Sequence, residues 1–134
     1  MSRKTAREAA FKTIFEIPFH TIETPADIIN FGIKYEEYKL SGDTDINYFT
    51  EITTSCFENI DVIDKKIGSS LKEGWSIDRI SKVNLSILRL AICEIMFIED
   101  IPYQVSINEA IELAKKFGDD DAPAFINGAL ASAI

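Results

Sequence analysis

The sequence contains few of the residues that most often carry covalent, redox or metal chemistry. Its 134 residues include two cysteines and one histidine. Cys56 and Cys93 are far apart and stand in no CxxC or Cys/His pattern, so we expect buried thiols without a disulfide or metal role. His20 has no serine or cysteine partner nearby in the sequence, and we expect it in an interhelical loop without a catalytic role.

Long apolar runs are also absent. No run approaches the roughly 20 residues that a membrane span requires, and the polar, basic residues 1–4 lack the apolar core of a signal peptide. A cytoplasmic protein is therefore expected. The chain has 46% hydrophobic residues, which is too apolar for disorder, and its length predicts a single domain over residues 1–134.

Motifs that indicate an enzyme are missing. The sequence has no GxGxxG, P-loop or GxSxG motif. The run Asp119–Asp121 lacks the alternating spacing and the following glutamate of a calcium loop, so no metal is expected there. These absences predict a non-catalytic protein without a cofactor, whose function is recognition.

Negative charge exceeds positive charge over the whole chain, but residues 1–12 have a net positive charge. The net charge of −8 argues against a general nucleic-acid binder. On a helical wheel, however, Arg3, Lys4 and Arg7 fall on the arc that Phe11 and Ile14 occupy two turns later. Either these first turns overhang the packed body and present cations to a ligand, or they are an exposed helix start with solvated charges.

Apolar residues recur at helical spacing along the chain, and no segment shows sustained period-two alternation. Helices are predicted from Ser2 to Pro18, from Thr24 to about Tyr38, from about Asp45 to Lys72 with or without a break, over Val83–Ile98, from about Ile107 to Gly118, and from Pro123 onwards. This pattern predicts an all-α fold, a compact bundle of six or seven helices around the apolar segment Val83–Ile98. Arg89 and Glu94 are charged exceptions in that segment, which we interpret as braces between helices.

Residues 101–128 carry the clearest local signals. Ser106 and Glu109 have the spacing of a capping box, which starts a helix at about Ile107. Gly118 is expected to end it in the left-handed conformation. Pro123 suits the first position of the next helix.

The pair Asn127-Gly128 is unusual inside a helix, because both residues are poor helix formers. Gly128 either lets another helix approach closely, or the Asn127 amide and the Phe125 ring face a ligand such as an RNA base.

Three passages resemble the NusB family of bacterial transcription antitermination factors. They are RKTAREAA at residues 3–10, ILRLAICE at 87–94, and IPYQVSINEAIELAKKFGDDDAPAFINGAL at 101–130. The resemblance implies two packed three-helix bundles and no catalysis. It also implies an adaptor of the RNA polymerase antitermination complex, one that binds boxA-type single-stranded RNA together with the ribosomal protein NusE.

The resemblance also assigns roles to individual residues. It maps RNA binding onto Arg3, Lys4, Arg7, Phe125 and Asn127. It maps the surface for the partner protein onto Phe15, Ile87, Phe117 and Asp121. Asp121 would then face a basic ribosomal protein, which agrees with the negative net charge of this chain, its anionic body outside the basic start.

This chain departs from the family pattern in its basic residues. Family members often have a longer arginine run, and a basic residue where this chain has Ala124. With about three phosphate contacts, the salt slope for single-stranded RNA would be only about −2, so tight RNA binding should require the partner.

Without the partner, an apolar surface around Phe15 and Phe117 would suit a homodimer.

Two other functions stay open at this point. One is a helical protein–protein interaction module that does not bind RNA. The other is the NusB-like domain of an RNA cytosine methyltransferase, which would need a downstream cofactor-binding domain.

Overall fold

The computed structural model describes residues 3–19, 23–24, 26–27 and 43–134, and its regular structure is helical throughout. The helices are α1 (Arg3–Glu16), α2 (Asp43–Glu58), α3 (Ile60–Ser70), α4 (Lys82–Phe97), α5 (Tyr103–Phe117) and α6 (Ala122–Ala133), with 3₁₀ turns at Ile17–Phe19 and Ile77–Arg79. The all-α prediction is confirmed. The helix predicted between Asp45 and Lys72 is broken at Asn59, and His20 lies outside the described residues.

The chain divides into two compact units, Met1–Glu58 and Asn59–Ile134. In unit 1, α1 packs against α2. Ala6, Ala10 and Ile14 of α1 and Phe49 and Ile52 of α2 are buried. Because these residues recur every three or four positions, each helix presents one apolar stripe to its neighbour.

A capping box is present in unit 1 at Thr24. Its hydroxyl accepts the Asp27 N–H at 3.4 Å, and the Asp27 carboxylate accepts the N–H groups of Glu23 and Thr24 at 3.2 and 3.1 Å. These backbone N–H groups hold the pKa of Asp27 below its ordinary value. The predicted helix start at Thr24 is confirmed, while the rest of that helix lies outside the described residues.

Unit 2 is arranged around α4, which packs against α3, α5 and α6. Ile87, Leu88, Leu90 and Ile92 of α4 are almost fully buried. The prediction that this segment is the buried centre is confirmed for unit 2. The Ser81 hydroxyl caps α4 by accepting the Asn84 N–H at 3.1 Å.

Arg89 and Glu94, the two charged residues within the apolar segment of α4, are braces, as predicted. The Arg89 guanidinium donates two hydrogen bonds to the Asp64 carboxylate on α3, each 2.8 Å long. Glu94 is buried and accepts a hydrogen bond of 2.9 Å from the Ser106 hydroxyl on α5. These contacts tie α4 to its two neighbours in the chain and satisfy groups that would be unfavourable if buried alone.

The predicted start of α5 is wrong. The helix begins at Tyr103, after Pro102, whose carbonyl accepts the N–H groups of Val105 and Ser106 at 2.9 and 3.4 Å. Ser106 therefore lies within the helix and is buried. Its hydroxyl is committed to Glu94 instead of to a cap.

The role of Gly118 also differs from the prediction. Its φ of −92° and ψ of 178° are open to any residue, so it is not a left-handed cap. A Cβ placed on Gly118 would lie 2.5 Å from the Ala122 Cβ and 2.9 Å from the Ala114 carbonyl oxygen. Glycine is needed at this position because α5 and α6 meet there without room for a side chain.

We expect Gly118→Ala to lower the free energy of unfolding by about 1–3 kcal/mol, the usual effect of overpacking. Gly68→Ala is the matched control, because Gly68 lies in α3 with no described atom within 4 Å of the added Cβ. The control should leave stability unchanged or raise it by up to about 1 kcal/mol through helix propensity. Urea unfolding measures both variants, and equal midpoints for the two would contradict this role of Gly118.

Candidate RNA and protein interfaces

The cations predicted to bind RNA lie on α1 in unit 1, but they are not equally accessible. Arg3 and Lys4 are exposed, whereas Arg7 is only 5% exposed. Both alternatives considered for this end of the helix require three exposed cations, and both are wrong for Arg7. Its side chain belongs to the packing of α1 against α2.

A tyrosine on α2 contacts both arginines at this end of α1. The guanidinium carbons of Arg3 and Arg7 lie 5.1 and 5.4 Å from the centre of the Tyr48 ring, which is itself buried. An arginine at this distance is attracted by the negative face of the ring. Tyr48 thus holds the start of α1 against α2 and leaves Arg3 and Lys4 as the exposed cations.

The residues predicted to bind RNA from the other end of the chain lie on α6 in unit 2. Phe125 is partly buried and Asn127 is exposed, so both residues reach solvent. Gly128 is exposed as well, and a Cβ added to it would meet no described atom within 4 Å. The close helix approach considered for Gly128 is therefore not present in the described part of the chain.

An open groove runs beside Phe125. It has a volume of about 260 Å³, and Trp75, Phe125 and Gly128 line it together with Lys72. The rings of Trp75 and Phe125 have their centres 6.0 Å apart with their planes tilted by 46°. We did not predict a role for Trp75, although a large aromatic directly after a glycine in a turn was a usable signal.

The residues predicted to contact the partner protein are divided between the units. In unit 1, Phe15 is partly exposed, with its ring centre 5.8 Å from that of Phe19. In unit 2, Phe117 is partly exposed and Asp121 is exposed. Ile87 has no exposed surface, so the structure places it in the core instead of on a contact surface.

Asp121 stands just before α6 at the N-cap position, but its carboxylate makes no capping hydrogen bond. Its backbone N–H donates to the Asp119 carboxylate at 3.1 Å. The Asp121 side chain is therefore available to a positively charged ligand. Next to this turn, the Lys116 amine lies 5.4 Å from the centre of the Phe117 ring.

Two other kinds of site are absent from residues 3–19, 23–24, 26–27 and 43–134. No three side chains of histidine, cysteine, aspartate or glutamate are grouped so that they could hold a metal ion. Within the same residues, no helix has the length and apolar character needed to cross a bilayer. Cys56 and Cys93 are both buried, as predicted.

The chain is similar to proteins of known identity along its whole length. A family model described as the NusB family matches residues 4–134. The transcription antitermination protein NusB of Natranaerobius thermophilus is 47% identical over 133 residues, which cover 97% of this chain and 92% of that protein.

Solved structures share the fold. A crystal structure of T. maritima NusB superposes with a TM-score of 0.85 at 33% identity, covering 99% of this chain and 90% of that one. A crystal structure of the antitermination factors NusB and NusE in complex with double-stranded RNA contains a chain with a TM-score of 0.84 and 27% identity. That match covers 98% of this chain and 94% of the other.

Proposed function

Because the chain belongs to the NusB family, we propose that it is a non-catalytic transcription antitermination factor that binds boxA-type single-stranded RNA together with a NusE-type ribosomal protein. The observation that carries the proposal is the full-length similarity to antitermination proteins. A structural relative solved together with NusE and RNA supports it. With a role in transcription we also propose a location in the cytoplasm.

The proposed RNA contacts come from side chains that reach solvent. Arg3 and Lys4 would neutralise phosphates, Phe125 would stack on a base, and Asn127 would hydrogen bond to a base edge or to the sugar-phosphate backbone. Arg7 has a different proposed role. Since its guanidinium is buried against Tyr48, it would hold the basic end of α1 in place, and would reach RNA only through a change in packing.

The small number of exposed cations supports a dependence on the partner. Two or three phosphate contacts provide little electrostatic affinity in a chain whose net charge is −8. A basic ribosomal protein bound to the anionic body would offset that charge and would add contacts of its own. We therefore propose that the chain and its partner form one RNA-binding unit.

The proposed partner contacts are Phe15, Phe117 and Asp121. Ile87 is left out because its side chain is fully buried. Phe117 offers apolar area, and Asp121 offers an exposed carboxylate that no capping hydrogen bond occupies. This combination suits a basic protein surface with an apolar centre.

Asp121→Lys should weaken the complex with the partner by about tenfold or more, because like charges would then meet at the interface. Isothermal titration calorimetry with the purified NusE-type protein measures this change. Asp120→Lys is the matched control, since Asp120 is exposed in the same turn and the substitution changes the charge equally. If both variants bind the partner as the unmodified protein does, Asp121 is not in the interface.

The proposal is tested by titrating a fluorescently labelled boxA-type RNA with the protein alone and with the partner present. We expect weak anisotropy changes for the protein alone and tight binding with the partner. Partner binding without any RNA binding would instead indicate a helical protein–protein interaction module.

A further inference from the structure

The turn that carries Trp75 is held by its own hydrogen bonds. Gly74 has a φ of 89°, which favours glycine. The backbone N–H of Trp75 donates to the backbone carbonyl of Lys72 at 3.0 Å. The Arg79 guanidinium donates to the Gly74 carbonyl at 3.3 Å from the following 3₁₀ turn. The indole is thus presented by a preformed turn.

Trp75 leaves much of its surface uncovered. Its side chain is 50% exposed although it lies next to Phe125. A tilt of 46° between the two rings opens a wedge between them instead of a closed stack. Exposed apolar surface of this kind in a concave site indicates a binding surface.

The size of the groove limits what can occupy it. Its volume of about 260 Å³ is below the range of about 300–1,000 Å³ that is typical of pockets for drug-sized ligands. The groove would therefore accept one flat group of a larger ligand. A helix or strand of a partner protein would need a much larger interface, about 800 Å² on each side.

Charge at the rim favours a nucleotide. Lys72 lines the groove and is exposed, and no carboxylate of the described residues forms an ion pair with it. A cation beside an exposed aromatic pair is the combination that holds single-stranded nucleic acid, with the base on the ring and the phosphate at the cation. Gly128, on the opposite wall, leaves the space for the base open.

From these observations we propose that Trp75, Phe125 and Lys72 form a binding site for one nucleotide of single-stranded RNA. The base stacks on the two rings, and the ammonium group of Lys72 contacts the adjacent phosphate. This inference rests on the proposed function and deepens it. It adds Trp75 and Lys72 to the RNA contacts, and it gives the glycine at position 128 a reason in ligand access.

Trp75 is the only tryptophan of the chain, so its fluorescence reports directly on the groove. We expect boxA-type single-stranded RNA, added to the complex with the partner protein, to quench this fluorescence at the same RNA concentrations that raise the RNA anisotropy. Subtracting the signal of the matching complex made with Trp75→Leu removes any tryptophan emission of the partner.

Substitutions test the two parts of the site separately. Trp75→Leu should weaken RNA binding by about 5- to 150-fold, the usual effect of losing a stacked base, with little change in salt dependence. Lys72→Gln should reduce the salt slope by about 0.7, the contribution of one phosphate contact to a single strand. Tyr103→Leu and Lys65→Gln are the matched controls, because both residues are exposed in unit 2 outside the groove.

A third variant covers the case in which Trp75→Leu alters the fold. Gly128→Leu fills the groove while Trp75 and Phe125 are both kept, and Gly128→Ala adds a Cβ that meets no described atom within 4 Å. We expect the leucine variant to lose as much RNA affinity as Trp75→Leu and the alanine variant to lose little.

Two results would overturn the inference while the proposed function stands. One is tight RNA binding that neither quenches Trp75 nor changes in the groove variants. The other is quenching by the partner protein alone, which would assign the groove to the protein interface. Absence of RNA binding in the presence of a bound partner would overturn both the inference and the proposed function.

Discussion

Replacing Ile87 with alanine should lower the free energy of unfolding by about 2–5 kcal/mol, the range for removing a large aliphatic side chain from a packed core. Ile87 lies on α4, the helix that α3, α5 and α6 all contact, and it has no exposed surface. The folded variant should still bind the partner protein with unchanged affinity. Urea unfolding and calorimetric titration below the unfolding midpoint measure the two effects separately.

Measuring stability and partner affinity together distinguishes a core role of Ile87 from a role in contacting the partner. Val62→Ala is the control, because Val62 is an aliphatic residue on α3 that is 51% exposed, and the substitution should change stability by less than about 0.5 kcal/mol. A partner affinity that falls in Ile87→Ala while stability stays unchanged would restore the contact role implied by the resemblance. We expect instead a loss of stability with an unchanged partner affinity.

The second large effect concerns the basic start of α1. Changing Arg3 and Lys4 together to glutamine should weaken RNA binding by the complex with the partner about 10- to 100-fold at low salt. It should also reduce the salt slope by about 1.4, as expected for two lost phosphate contacts. The substitution also removes the contact of Arg3 with the Tyr48 ring, but both side chains are exposed, so the loss of stability should not exceed about 1 kcal/mol. RNA anisotropy at several salt concentrations provides both numbers.

A double change of Lys65 and Lys66 to glutamine is the matched control, because it removes the same charge from exposed positions on α3. Arg7 is deliberately kept in both proteins. Its alanine variant would remove a buried guanidinium from the Tyr48 ring and would mix a packing defect with a binding defect. Equal RNA affinities and slopes for the two double variants would remove Arg3 and Lys4 from the RNA site.

Local patterns predicted the helices well because most signals were short in range. The spacing of apolar residues located α4, and the charges that interrupt it, Arg89 and Glu94, were correctly interpreted as braces. The partners themselves could not be predicted. Asp64 and Ser106 lie in other helices. Only the packing of α4 brings Arg89 within hydrogen-bonding distance of Asp64, and Glu94 within that distance of Ser106.

The errors arose where a residue has two uses. Ser106 has the spacing of a capping residue, but Pro102 starts the helix earlier, and the hydroxyl then satisfies the buried Glu94. Gly118 follows the end of a helix as a left-handed cap would. Glycine is required there, however, because a Cβ on residue 118 would lie only 2.5 Å from the Ala122 Cβ. A pattern along the chain does not contain these tertiary constraints.

The same limit applies to the candidate site. The helical wheel placed Arg7 correctly on the arc of Phe11 and Ile14, but it could not include Tyr48, the α2 ring that covers the guanidinium. Similarly, the sequence places Trp75 in a turn, while the groove exists only because Phe125 and Gly128 of α6 lie opposite. The sequence states the type and charge of each residue, whereas the accessibility of each side chain depends on the fold.

The most direct test is the affinity of this protein for a boxA-type single-stranded RNA, measured by anisotropy with and without an equimolar NusE-type partner. A scrambled RNA of the same length is the control for base-independent binding. We predict at least about a tenfold gain in affinity when the partner is added, equivalent to about 1.4 kcal/mol, and weaker binding of the scrambled RNA. An RNA affinity that is equal with and without the bound partner, or undetectable in both cases, would contradict the proposed adaptor function.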